Sequence, residues 1–210
     1  MSRRAIVRRL LTLAVSLGLA SCAVTDPTQY YTLGQTPARS AESTARASTA
    51  RRSAAGAAVG IGVGPVIIPG YLDRSQIVTR GGTDHVELSM FHRWAEPLED
   101  GIARVLAEEI GARVPTERIV MFPWRGVVAQ ALQYQVVIAV LRFDGSAGAD
   151  VTLDTRWRIL GRDGGELAFG RSTVVEATTD SGYEALVAAM TRTVRAVGQE
   201  IAAEIRAMPR

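Results

Sequence analysis

VTLDTRWRILGRDGGELAFGRSTVVEA, residues 151–177, reads as two strands joined by a tight turn. Over 151–160 the residues alternate. Val151, Leu153, Thr155, Trp157 and Ile159 point one way; Thr152, Asp154, Arg156 and Arg158 point the other. That is the period of a strand with one buried face. Asp163-Gly164 suits the hairpin turn, and 167–177 returns as the partner strand. The apolar face needs a cover, and the next element supplies one. Leu186, Met190, Val194, Val197, Ile201 and Ile205 recur at helical spacing. Ser181 and Glu184 fit a capping box at the start of that helix. Alanines around the stripe permit close packing on a sheet.

Upstream, 134–143 is apolar on both faces and reads as a central strand. Residues 118–122 form a short strand. Residues 96–110 predict an amphipathic helix, with Pro97 in its first turn, an apolar stripe of Leu98, Ile102, Val105, Leu106 and Ile110, and Gly111 as its end. Short strands over 77–80 and 85–91 flank Gly81-Gly82. Residues 59–68 read as a strand whose Gly60, Gly62 and Gly64 leave one face bare, open to close approach by other backbone. The spacing fails the phosphate-loop pattern, and Pro65 stands where a helix would begin. The expectation is an α+β fold: a mostly antiparallel sheet with two main helices packed on one face, in a single compact domain over 59–210. No internal repeat is apparent. Residues 34–58 hold Ala, Ser, Thr and Arg but no large apolar side chain, and are expected to be a low-complexity disordered loop. Tyr30-Tyr31-Thr32-Leu33 is a further strand-like element.

The N-terminus carries Arg3, Arg4, Arg8 and Arg9, then a mostly apolar run from Leu10 to Ala20. That run is too short to span a bilayer, which takes ~20 apolar residues. It has the flanks of a secretory signal over 1–21. The chain's one cysteine, Cys22, follows directly in Leu19-Ala20-Ser21-Cys22. The tetrad resembles a bacterial lipobox. That resemblance implies cleavage before Cys22, a diacylglycerol on its sulfur and an acyl chain on its new amine. An ordinary signal with a chance cysteine is the alternative. One acyl chain holds a protein only reversibly, whereas two or three anchor it stably. With Cys22 acylated no disulfide is available.

Hydrophobic residues make up 47% of the chain, enough for a real core. All 24 basic residues are Arg. Eight of them precede residue 59, and the 16 that follow face 19 acids, a net charge of −3 for 59–210. A nucleic-acid binder would concentrate positive charge on the folded part, so that class is excluded. No catalytic constellation emerges. His85 and His92, seven apart, point to opposite faces of a strand and read as surface residues. No H-E-x-x-H is present, and zinc has few ligands. Gly145-Ser146-Ala147-Gly148 has the wrong spacing for a nucleophile elbow. Glu99/Asp100 and Glu108/Glu109 are adjacent on a helix and diverge. No metal and no cofactor is expected beyond the lipid on Cys22.

Large apolar residues do occur in turn-like contexts: 67–74, 91–97 and 122–124. Either they fold back onto the core or they face a partner. The candidates for partner contact are Tyr71, Leu72, Asp73, Arg74 and Trp94.

Several strings resemble the PqiC/YmbA-like auxiliary lipoproteins of ABC-type, MCE-linked transport systems. They are the lipobox, YYTL (30–33), GVGPVIIPGYLDRSQIVTR (62–80), RWAEPLEDGIARVLAEEIG (93–111), RIVMFPW (118–124), YQVVIAVLRFDG (134–145) and YEALVAAM (183–190). The resemblance covers nearly all of the mature chain; the insert after Leu33 departs from it. It implies a noncatalytic lipoprotein of the outer membrane, facing the periplasm, that partners an MCE tunnel protein moving lipids between membranes. Ala23, rather than Asp, fits that sorting. Docking is the expected mechanism. If 30–33 joins the sheet, seven residues separate anchor from fold, spanning at most about 25 Å. Self-association around a ring-shaped partner is plausible. A periplasmic lipid carrier with its own apolar pocket is the alternative, and a periplasmic enzyme a third reading.

Overall fold

The structure is a computed structural model and describes residues 27–34, 59–116 and 118–208. The expected hairpin forms. β7 (Asp150–Gly161) and β8 (Glu166–Ala177) pair antiparallel from Asp150↔Ala177 to Leu160↔Glu166. Gly164 takes the positive φ of the turn. Val151, Leu153, Thr155, Trp157 and Ile159 are buried, while Arg156 and Arg158 are exposed, as the alternation requires.

β6 (Tyr134–Gly145) pairs antiparallel with β7 at the centre of a five-stranded sheet. Beyond it lies β2 (Gly60–Ile67), then β5 (Arg118–Met121) at the edge. β2 runs parallel to both neighbours. The chain passes from β5 to β6 across the glycine face of β2. A Cβ on Gly60 would lie 2.4 Å from the Ala131 carbonyl oxygen, and one on Gly62 would lie 2.8 Å from both Leu132 and the Trp124 ring. The bare face read from the sequence is the seat of that crossover, which includes the short helix α2 (Val127–Gln130).

A second sheet has the order β1 (Gln29–Tyr31), β4 (Val86–Trp94), β3 (Gln76–Arg80). β1 joins β4 in parallel, and β3 pairs with β4 antiparallel. The α+β class therefore stands, but the single, mostly antiparallel sheet becomes two mixed ones. Side-chain alternation reports a strand's faces and not its direction, so the parallel pairs left no local mark.

α1 (Leu98–Arg113) packs on β2 and β5, and α3 (Tyr183–Ala207) packs on β6, β7 and β8. The two helices also pack against each other, and both predicted stripes are buried. Their ends differ from expectation. α1 runs past Gly111 to Arg113, and Pro97 is its N-cap. α3 starts after Gly182, an N-cap with no side chain to offer, and Asp180 Oδ1 accepts the Gly182 N–H. The Ser181–Glu184 capping box is not made. One core runs through both sheets, from Leu33 and Ile77 to Ile159 and Ile201. The sheets are also tied by charge. Asp144 on β6 is fully buried and accepts from Arg80 of β3, Arg142 and the Tyr71 hydroxyl. The expected signal over 1–21, Cys22 and, apart from Gly34, the expected disordered loop over 34–58 lie outside the described residues.

Candidate docking surfaces

The five residues singled out for partner contact do not share one exposure. Leu72 and Trp94 are 2% and 5% exposed and belong to the core. At Leu72 the turn closed by its N–H on the Pro69 carbonyl folds the side chain inward. Trp94 lies in register with Tyr31, on the face of the second sheet that packs inward. Tyr71 is half-buried, and its hydroxyl donates to Asp144 Oδ2 at 3.3 Å. Burial, then the Asp144 charge, raises its pKa. Asp73 and Arg74 are exposed. They line a groove of about 330 Å³ with Ser75, Glu96 and Glu99, and Trp94 closes part of its wall. The sequence set thus marks a place, while only Asp73 and Arg74 present side chains freely there.

His92 is not a simple surface residue. Its ring stacks on Tyr183 at 3.7 Å, and its Nδ1 lies 2.9 Å from the Tyr31 hydroxyl. This stack ties the first strand to the start of α3. His85 stays exposed beside Glu87. Phe122 and Trp124 meet edge to face at 5.4 Å in the crossover above β2, with Phe122 half exposed.

Two surfaces were missed from sequence. On the open face of the five-stranded sheet, Ile67, Val137, Ala139 and Phe169 line a groove of about 390 Å³ that also reaches Arg156 and Arg158. Its signal was present: β6 is apolar on both faces, which was read only as a mark of a central strand. The other surface is on β4, where Leu88, Met90 and Phe91 are exposed beside Tyr30. Here the alternation breaks because the register with β3 jumps from Val78↔Leu88 to Gln76↔Arg93. Ser89–His92 on β4 therefore stand opposite Ile77 alone. Both grooves lie open on the surface. Inside, Phe143, Leu33, Leu132 and Leu153 are at most 1% exposed, and a third recess of about 280 Å³ opens between the helix ends and the sheet, lined by Val59, Val114, Tyr134, Ile205 and Met208.

A family model described as ABC-type transport auxiliary lipoprotein component matches residues 31–202. No curated protein matches. Among solved structures, an uncharacterized protein aligns with TM-score 0.59 at 18% identity, covering 70% of this chain and 90% of its own. A Xanthomonas campestris protein of family DUF330 aligns with TM-score 0.58 at 17% identity, covering 69% and 82%. These two likenesses show the fold. The PelC dodecamer from Paraburkholderia phytofirmans aligns at 10% identity with TM-score 0.42, covering 75% and 94%, too distant for its assembly to bear on this chain.

Proposed function

The chain belongs to the family of ABC-type transport auxiliary lipoprotein components, and on that premise we propose that it is held in the outer membrane by a lipidated Cys22, faces the periplasm and docks an MCE-domain tunnel protein there as a noncatalytic subunit. The observation that carries this reading is the pairing of β1 with β4. It fixes the first strand in the fold, so the short tether applies and not the 36 residues, 23–58, that a loose first strand would leave. Six residues lie between Cys22 and Gln29, and the domain sits against the bilayer.

The parallel pairing also sets an orientation. The chain enters β1 at Gln29, the end near the anchor, and leaves it at Tyr31, beside Trp94. The Asp73–Glu99 groove therefore lies at the end of β1 away from the membrane, where a tunnel tip arriving from the periplasm would meet it. Exposed Asp73 and Arg74 offer one charge of each sign at its edge. The carrier alternative needs an enclosed apolar chamber for an acyl chain; the two larger grooves described lie open on the surface, which favours docking.

The test is co-purification of the full lipoprotein, in detergent, with an MCE-domain protein of the same organism. Asp73→Ala with Arg74→Glu is expected to weaken capture strongly, and a change at Val175, on the far side of the sheet, to leave it intact. Unchanged capture by the double variant would remove the groove from the assignment. Stoichiometric phospholipid bound to the purified chain would favour the carrier.

A further inference from the structure

The exposed apolar side chains on β4 lie on the strand that receives the first strand of the chain. Tyr30, Leu88, Met90 and Phe91 are 66%, 48%, 72% and 43% exposed. Tyr30 lies in register with Arg93 across the β1–β4 pair. Phe91, two residues before Arg93, shares that face. Arg93 itself makes no ion pair among the described residues, and its Nε is buried without a hydrogen-bond partner. A cation is thus set within an apolar surface.

Because β1 and β4 are parallel, with Gln29 opposite His92, the chain enters β1 at the end of the pair that is next to Phe91 along β4. From Pro27 to Cys22 is five residue steps, at most about 18 Å when fully extended. Resting on the lipidated Cys22 proposed above, we propose that Tyr30, Leu88, Met90 and Phe91 enter the headgroup region of the bilayer that holds the anchor, with Arg93 turned to lipid phosphate.

The chemistry of the surface fits a lipid interface. Phe, Leu and Met bury apolar area at the acyl boundary, Tyr spans the boundary between apolar and wet, and Arg meets anionic headgroups. A second copy of the chain is a poorer occupant. A stable protein interface uses ~20–30 residues a side, and this cluster offers four apolar side chains from two strands.

Met90→Cys in the full lipidated chain introduces a free thiol, since Cys22 is acylated. It is labelled with an environment-sensitive fluorophore and reconstituted into phosphatidylethanolamine/phosphatidylglycerol vesicles containing lipids spin-labelled near the headgroup. Phe91→Cys serves as a second site in case one label perturbs the strand, and Val175→Cys, exposed on the five-stranded sheet, is the control. The expected result is a blue shift and loss of most emission at 90 and 91, with little change at 175. Unquenched label at 90 and 91 on protein that floats with the vesicles would overturn the footprint while leaving the anchor intact. A blue shift without lipid quenching would show a protein surface covering the cluster, and would also overturn it. Failure of the chain to float would remove the anchor, and the footprint with it.

Discussion

Asp144 shows how one buried charge can join two layers. Its carboxylate has no solvent exposure, yet it receives Arg80 Nε at 3.1 Å and Arg142 Nε at 2.9 Å on Oδ1, and the Tyr71 hydroxyl on Oδ2. Burial pushes its pKa up, but the hydrogen bonds and charges of Arg80 and Arg142 outweigh that and hold it below the ordinary carboxylate range. Removing one partner of a buried pair leaves the other unpaired, so Asp144→Ala is expected to cost about 3–5 kcal/mol, measured as the shift in urea midpoint. The sign of the pH dependence follows from the lowered pKa. The stabilisation is complete above the unfolded value of ~3.9 and is lost as pH falls toward the lower folded value. Stability measured from neutral pH to about pH 3 should therefore drop for the native chain below ~4, and drop less for Asp144→Asn. Equal slopes would mean that the carboxyl titrates alike in the folded and unfolded chain. None of this was legible in the sequence. Arg80 and Asp144 are 64 residues apart, and an Asp after a strand reads as a turn residue.

At the scale of elements, the glycines of β2 make a testable packing claim. Gly60 meets the Ala131 carbonyl oxygen, a backbone atom with little freedom to move. Gly60→Ala is expected to destabilise by roughly 1–3 kcal/mol through overpacking. Gly70, exposed in the β2–β3 loop with nothing near its missing Cβ, is the contrast. Gly70→Ala should be neutral or stabilise by up to about 1 kcal/mol, through the unfolded chain. Urea denaturation of both variants decides it, and equal midpoints would mean that the crossover lies farther from β2 than described. What the sequence revealed at this scale was periodicity: the two helical stripes, the alternation in β7 and the bare face of β2 are each local patterns. What it hid was pairing. β2 finds β5 and β6 across long stretches of chain, and three residues of β1 are too few to show a direction. The start of α3 falls one residue later than the capping box implies, at Gly182, which has no side chain to cap with.

For the whole molecule, the decisive quantity is the reach of the tether. With the lipid proposed on Cys22, a domain whose first strand is locked into its sheet six residues away has few positions open to it, and the proposed partner groove is carried at a near-fixed height above the bilayer. A long tether would leave the anchor intact and release that height. Inserting about twenty Gly/Ser residues between Asp26 and Pro27 adds a coil with a root-mean-square span of ~25 Å, comparable to the whole native reach. The lengthened protein should float with membranes as the native one does, because the acyl chains are unchanged. Its groove would be diluted over a larger volume, and the effective concentration at a tunnel tip fixed near the membrane would fall. A photo-crosslinker in place of Arg74, in cells expressing the proposed MCE partner, should then give several-fold less adduct from the lengthened chain than from the native one. Equal yields would mean that the partner follows the domain wherever it moves, and that the short tether serves only to hold the lipoprotein in its membrane.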